Sequence, residues 1–134
     1  MILDASALIA ILRGEPDAPR MAHAIEAAPQ RRLSAATFVE VGAVIDGSRD
    51  PVASSRYNDL LREARITIEP VTEQQARLAR QAYRDYGKGS GHPAQLNFGD
   101  CFAYALAKDT GEPLLYKGDD FGHTDIVDAL ESKG

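Results

Sequence analysis

Apolar residues along this chain keep two rhythms, and each change of rhythm marks a new element. Short apolar runs read as strands: Ile2-Leu3, the stretch from Arg32 to Ala35, the alternating ITIEPV, and LLYKG starting at Leu114. Between these runs the apolar positions recur at helical spacing. Leu8, Ile9, Ile11 and Leu12 line a first helix that Ser6 can cap and that stops near Arg13-Gly14. Pro16 suits the first turn of a second helix, which runs to about Ala28 ahead of Pro29. Phe38, Val41, Val44 and Ile45 mark a third helix. Tyr57, Leu60, Leu61 and Ala64 mark a fourth that starts at Pro51, and Thr72 opens a fifth that ends near Tyr86. GKGSGHPAQ, residues 87–95, is a flexible loop. A last helix from Asp100 to Lys108 turns Phe102, Ala105 and Leu106 inward and stops at Gly111, and TDIVDAL predicts an edge strand near the end.

Strands alternating with helices predict a mostly parallel sheet with helices on both faces, a three-layer α/β/α domain. No repeat or linker divides the chain, and 134 residues fit a single domain, residues 1–134. In such a fold, strand ends and helix starts share one edge of the sheet, where open α/β sheets bind ligands. Asp4 stands at the exit of the first strand, Glu40 in the first turn of the third helix, Asp100 in the first turn of the last helix, and Asp119 and Asp120 after LLYKG. Topology therefore puts all of these carboxylates on one rim. Each also has a structural reading. Thr37 and Glu40 make a T-x-x-E capping box, Asp100 favours a helix N-terminus, Asp119 or Asp120 can cap a turn at Phe121, and Asp4 can form an Asx turn.

Electrostatics separates these readings. Two carboxylates about 4 Å apart repel by roughly 4 kcal/mol at an effective dielectric of 20. Several such pairs rival the whole stability of a domain, about 5–15 kcal/mol. Acids that converge must take up protons or bind a cation, and a carboxylate-and-water site suits Mg²⁺ or Mn²⁺. Zinc is disfavoured, because His23, His92 and His123 lack ligand spacing and Cys101 stands alone. On this reading Asp4 is a metal ligand.

Composition narrows the class. The chain is 44% hydrophobic and carries a formal charge of −5, so it does not hold nucleic acid by net charge, although a local basic patch remains open. A single cysteine forbids an internal disulfide, and Cys101 reads as a small core residue. The start MILDAS has no basic leader region and the longest apolar run, ALIAIL, is too short to span a bilayer, which predicts a cytoplasmic protein without a membrane segment. His123 reads as structural, and Tyr83, Tyr86 and Tyr104 as packing or dimer contacts.

The segments ILDASALIAIL, the helix carrying Glu40, LNFGDCFAYALA and PLLYKGDDFGHTDI occur in that order from Ile2 to Ile126. In this the chain resembles the PIN-domain ribonucleases and, within them, the VapC-type toxins of bacterial toxin–antitoxin pairs. The resemblance implies a metal-dependent endoribonuclease that hydrolyses RNA phosphodiesters with Mg²⁺ or Mn²⁺, pairs as a homodimer and is silenced by a cognate antitoxin. It implies an acidic site of Asp4, Glu40 and Asp100 with a fourth acid after the last strand. Asp119 takes that place, with Asp120 as the alternative, and Ser6 matches a supporting hydroxyl residue. Asp4 and Asp100 suit direct ligation; Glu40 and Asp119 suit a second ion, a metal-bound water or general-base work. Arg13, Lys88 and Lys117 are candidate phosphate contacts, each with a solvated surface charge as its plainer reading. The expected substrate is a tRNA or a structured rRNA segment. Two rivals are a phosphatase of the haloacid-dehalogenase type, which wants an Asp where Ser6 stands, and a non-catalytic interaction domain.

Overall fold

Along the chain run β1 (Ile2–Leu3), α1 (Ala5–Leu12), α2 (Ala18–Ala27), β2 (Arg32–Ser34), α3 (Ala35–Gly47), α4 (Pro51–Glu63), β3 (Thr67–Glu69), α5 (Glu73–Tyr86), α6 (Asp100–Thr110) and β4 (Leu114–Leu115), then a short 3₁₀ turn, Asp120–His123. This computed structural model describes residues 1–131; the last three residues of the expected 1–134 domain lie outside the described residues. The four strands are all parallel, in the order β3-β2-β1-β4.

Two residues suffice for β1 and for β4 because both faces of the sheet are covered. Successive side chains point to opposite faces. Ile2 and Leu114 pack with α5, α6 and Leu96, whereas Leu3, Leu33 and Leu115 pack with α1, α2, α3 and α4. This gives the expected three layers. The helix α6 is buried along most of its length, from Cys101 through Ala103–Ala107. It ends as predicted at Gly111, whose φ of +72° forms a left-handed C-cap.

After β1 the chain adds strands on one side, β2 and then β3, and returns to place β4 on the other. The reversal leaves a crevice at the carboxyl ends of β1 and β4, where ligands bind in open α/β sheets. Asp4 stands in that crevice; its backbone N–H donates to Leu115 O at 2.9 Å.

Several local expectations change. The cap of α1 is Asp4 itself, which accepts the Ser6 N–H, so Ser6 is not the cap. The second helix starts at Ala18 with Pro19 in its first turn, and Pro16 lies ahead of it. Ser34 caps α3, its Oγ accepting from Ala36 N, so the helix starts earlier than the T-x-x-E box requires and Glu40 falls in the second turn. Val44 turns outward. The TDIVDAL edge strand reduces to one parallel bridge between Leu114 and Asp128, with Ala129 N donating to Leu114 O.

Because Leu115 is fully buried in the central sheet, Leu115→Ala is expected to destabilise the domain by about 2–5 kcal/mol. Ile68→Ala, on the outermost strand and 42% exposed, should cost less than about half of that. Urea unfolding of both variants in chelator checks the contrast.

Candidate active site

The carboxyl edge of the sheet is built around Asp4, which is only 2% exposed. Its Oδ2 accepts two hydrogen bonds from Ser6, from the backbone N–H at 3.0 Å and from Oγ at 2.6 Å. Ser6 Oγ in turn accepts the Lys117 backbone N–H at 2.9 Å. One hydroxyl thus joins the exits of β1 and β4 and fixes the carboxylate of Asp4 between them. The other oxygen, Asp4 Oδ1, is buried without a hydrogen-bond partner, and so is Glu40 Oε1. An unmatched buried polar atom is costly, and more so for a carboxylate oxygen.

Asp100 reaches the crevice from the first turn of α6. Its Oδ2 accepts the Asn97 N–H at 3.0 Å, while its own N–H donates to Asn97 Oδ1 at 2.8 Å. This reciprocal pair orients the acid, and the N-x-x-D spacing of Asn97 and Asp100 was a readable capping-box signal that the sequence analysis left unused. Glu40 arrives from α3 and lies against the backbone of Gly99, where an added Cβ would be 2.6 Å from Glu40 Cδ.

The acids act on one another. Burial, and then the nearby Glu40 charge, push Asp4 up to about 6 despite the Ser6 hydrogen bonds. Burial followed by the charges of Asp4 and Asp120 pushes Asp100 up to about 6, with Lys88 pulling the other way. Glu40 is raised by burial and by Asp100. The opposite edge of the sheet handles its acids differently: Arg32 pairs with Glu69 and with Glu112, both at 2.9 Å. Among the described residues, Asp4, Glu40 and Asp100 form no such ion pair.

The two candidates for the fourth acid, Asp119 and Asp120, lie in the turn after β4. Gly118, at φ +99°, redirects the chain, and Phe121 anchors the 3₁₀ turn against Tyr116 at 5.2 Å between ring centroids. Asp120 is the acid whose charge reaches Asp100. Asp119, the expected fourth member, instead lines a separate depression of about 550 Å³ with Asp17, Arg20, Lys117 and His123, and none of the other three acids borders it. Of the candidate cations, Lys88 is close enough to act on Asp100. The Lys117 ammonium pairs with Glu15, and Arg13 is the exposed C-cap of α1, about 12 Å of helix beyond Asp4. Cys101 is buried, and burial and then Asp100 push its thiol up to about 12, as expected of an inert core residue.

An all-oxygen donor set with two unmatched buried carboxylate oxygens fits a hard divalent cation. Among the described residues no group of three or more His, Cys, Asp or Glu side chains stands at metal-ligand spacing.

Comparison with known proteins agrees with this fold. The family model described as PIN domain matches residues 1–127. The chain belongs to the PIN-domain family, and the haloacid-dehalogenase alternative falls away. Within that family it is similar to the VapC ribonucleases. It is 59% identical to Ribonuclease VapC28 of Mycobacterium tuberculosis over 99% of this chain and 100% of the relative. It is 52% identical to Ribonuclease VapC42 of the same organism over 94% of this chain and 96% of the relative. Among solved structures, M. tuberculosis VapC20, described as a Sarcin-Ricin loop cleaving toxin, superposes with a TM-score of 0.72 at 17% identity over 94% of this chain and 95% of that one. A toxin-antitoxin complex from Klebsiella pneumoniae gives 0.66 at 22% identity over 90% of this chain and 88% of that one. At these identities the structures show the shared fold.

The raised acids set a pH dependence for the metal-free protein. The folded state holds the Asp4 proton more tightly than the unfolded chain does, so stability falls as pH rises from about 4 to about 6 and stays low above that. For Asp4 a rise from 3.8 to about 6 corresponds to on the order of 3 kcal/mol. Asp4→Asn, which keeps a good helix cap, should therefore raise the melting temperature in chelator at pH 7 and flatten its decline between pH 4 and 7.

Proposed function

We propose that this chain is a metal-dependent endoribonuclease, the toxin of a toxin–antitoxin pair, which hydrolyses RNA phosphodiester bonds at the rim formed by Asp4, Glu40, Asp100 and Asp120. The observation that carries this reading is the pair of buried, partnerless carboxylate oxygens on Asp4 and Glu40, beside an Asp100 that the Asp4 charge raises and whose own charge raises Glu40. A non-catalytic interaction domain has no need to hold such a costly group in place.

Asp4 and Asp100 would hold Mg²⁺ or Mn²⁺ directly, and Glu40 and Asp120 would hold a second ion or a water beside it. When bound, the cation supplies a deprotonated water nucleophile and charge stabilisation at the phosphate. Ser6 keeps the Asp4 carboxylate oriented by donating to Oδ2, and Asn97 does the same for Asp100. Lys88 offers positive charge toward the phosphate backbone beside Asp100. Asp119 takes no part in this scheme and serves the separate depression.

The relatives' names support RNA as the substrate, and the Klebsiella complex supports a cognate antitoxin as partner. A homodimer, a tRNA or structured rRNA target, and a cytoplasmic setting complete the reading. No helix among the described residues is long and apolar enough to cross a membrane.

Two measurements test it. Millimolar Mn²⁺ should raise the melting temperature of the wild-type protein by binding the folded state, and RNA cleavage should stop in EDTA and return with Mn²⁺. Asp100→Asn should abolish cleavage while remaining folded. Asp120→Asn should lower it by about 10- to 100-fold, and Asp119→Asn should leave it near wild type. An active Asp100→Asn protein defeats the assignment.

A further inference from the structure

Glycines in this chain serve different purposes. Gly14, Gly89, Gly91, Gly111 and Gly118 have positive φ and open space around them, so they are there for the turns they make. Gly99 is different. Its φ of −64° and ψ of −38° lie in the ordinary right-handed helical region, which any residue adopts. What glycine provides there is room. A Cβ at position 99 would overlap Glu40 Oε2 outright and lie 2.6 Å from Cδ and 2.7 Å from Oε1. Among the described glycines it is the one whose missing side chain is replaced by a carboxylate.

Glu40 has nothing else to hold it there. Its Oε1 is buried without a hydrogen-bond partner, and the capping box that would have tied it to Thr37 is not formed. The slot over Gly99 lies at the start of α6, one residue before Asp100. The carboxylate thus sits where the positive end of the helix favours an anion. We propose that Gly99 is a positioning residue: the absence of a side chain at 99 opens the slot that brings Glu40 from α3 to Asp100 on α6. Any larger residue at 99 expels the Glu40 carboxylate from the shared rim. Glu40 is reached at the far end of a flexible chain, so it can swing away while the fold persists.

The inference rests on the proposed reading of Asp4, Glu40 and Asp100 as the metal-binding acids, and the test separates the two. The readouts are Mn²⁺ affinity by calorimetry, melting temperature with and without Mn²⁺, and RNA cleavage. Gly99→Ala should melt within about 3 °C of wild type in chelator. It should bind Mn²⁺ about 10- to 100-fold more weakly, with a parallel loss of cleavage. Combining it with Glu40→Asp, which retracts the carboxylate by one methylene, should recover part of the lost affinity, although Glu40→Asp alone weakens binding. This reversal of sign marks a direct steric coupling between the two positions.

Should Gly99→Ala melt lower than expected, Glu40→Ala must cancel that loss, because it removes the overlapping atoms; a loss that persists in the double variant overturns the inference. Wild-type Mn²⁺ affinity in Gly99→Ala, while Asp4→Asn and Glu40→Gln lose binding, overturns the role of Gly99 and leaves the acidic site standing. Undiminished binding in Asp4→Asn overturns the site itself.

Discussion

A carboxylate fixed in a buried crevice with one oxygen left unmatched is the constraint around which this molecule is arranged. Asp4 follows directly on the central strand β1, and its backbone is committed to the ladder with β4. Its side chain cannot leave the crevice without giving up both Ser6 hydrogen bonds and the cap of α1. Ser6 Oγ also holds the Lys117 N–H, so a displaced Asp4 would loosen the exit of β4 as well. The remaining oxygen, Oδ1, has no donor to meet it. The fold thus carries an electrostatic cost at this carboxylate, which burial and the Glu40 charge hold toward its protonated form.

The same layers that fill the core deliver the other acids. The largely buried α6 has little freedom to shift, so Asp100 in its first turn is placed by packing and then oriented by Asn97. The helix α3 comes from the opposite layer and lends Glu40 across the sheet edge into the space above Gly99. The two layers meet at this rim, where Asp4, Glu40 and Asp100 come within reach of one another's charge. At the far edge, Arg32 pairs with Glu69 and Glu112 and leaves no comparable excess. Arg32 thus balances two acids, whereas Asp4, Glu40 and Asp100 form no ion pair among the described residues.

Around this centre the basic side chains divide. Lys88, on the loop between α5 and α6, acts on Asp100, whereas Lys117 is drawn to Glu15 and toward Asp17 beside the separate depression. Asp119 belongs with the latter group. The turn that carries Asp119 and Asp120 is shaped by Gly118, at positive φ, and by Phe121 packing on Tyr116.

By itself the sequence determined the layers, the parallel sheet and the edge on which Asp4, Glu40 and Asp100 would fall. Those features follow from local periodicity and from the rule that strand ends and helix starts share a rim. It also determined the stop at Gly111 and the buried Cys101. Only the tertiary structure decided that Ser6 links two strands rather than capping a helix, that Glu40 lies in the space over Gly99 rather than in a capping box with Thr37, and that Asp119 lines a depression apart from Asp4, Glu40 and Asp100. Each of these depends on residues far apart in the chain, or on the rotation of one turn by about a residue. Spacing along a sequence carries no record of which side of a turn a side chain will occupy once a distant ring has anchored it.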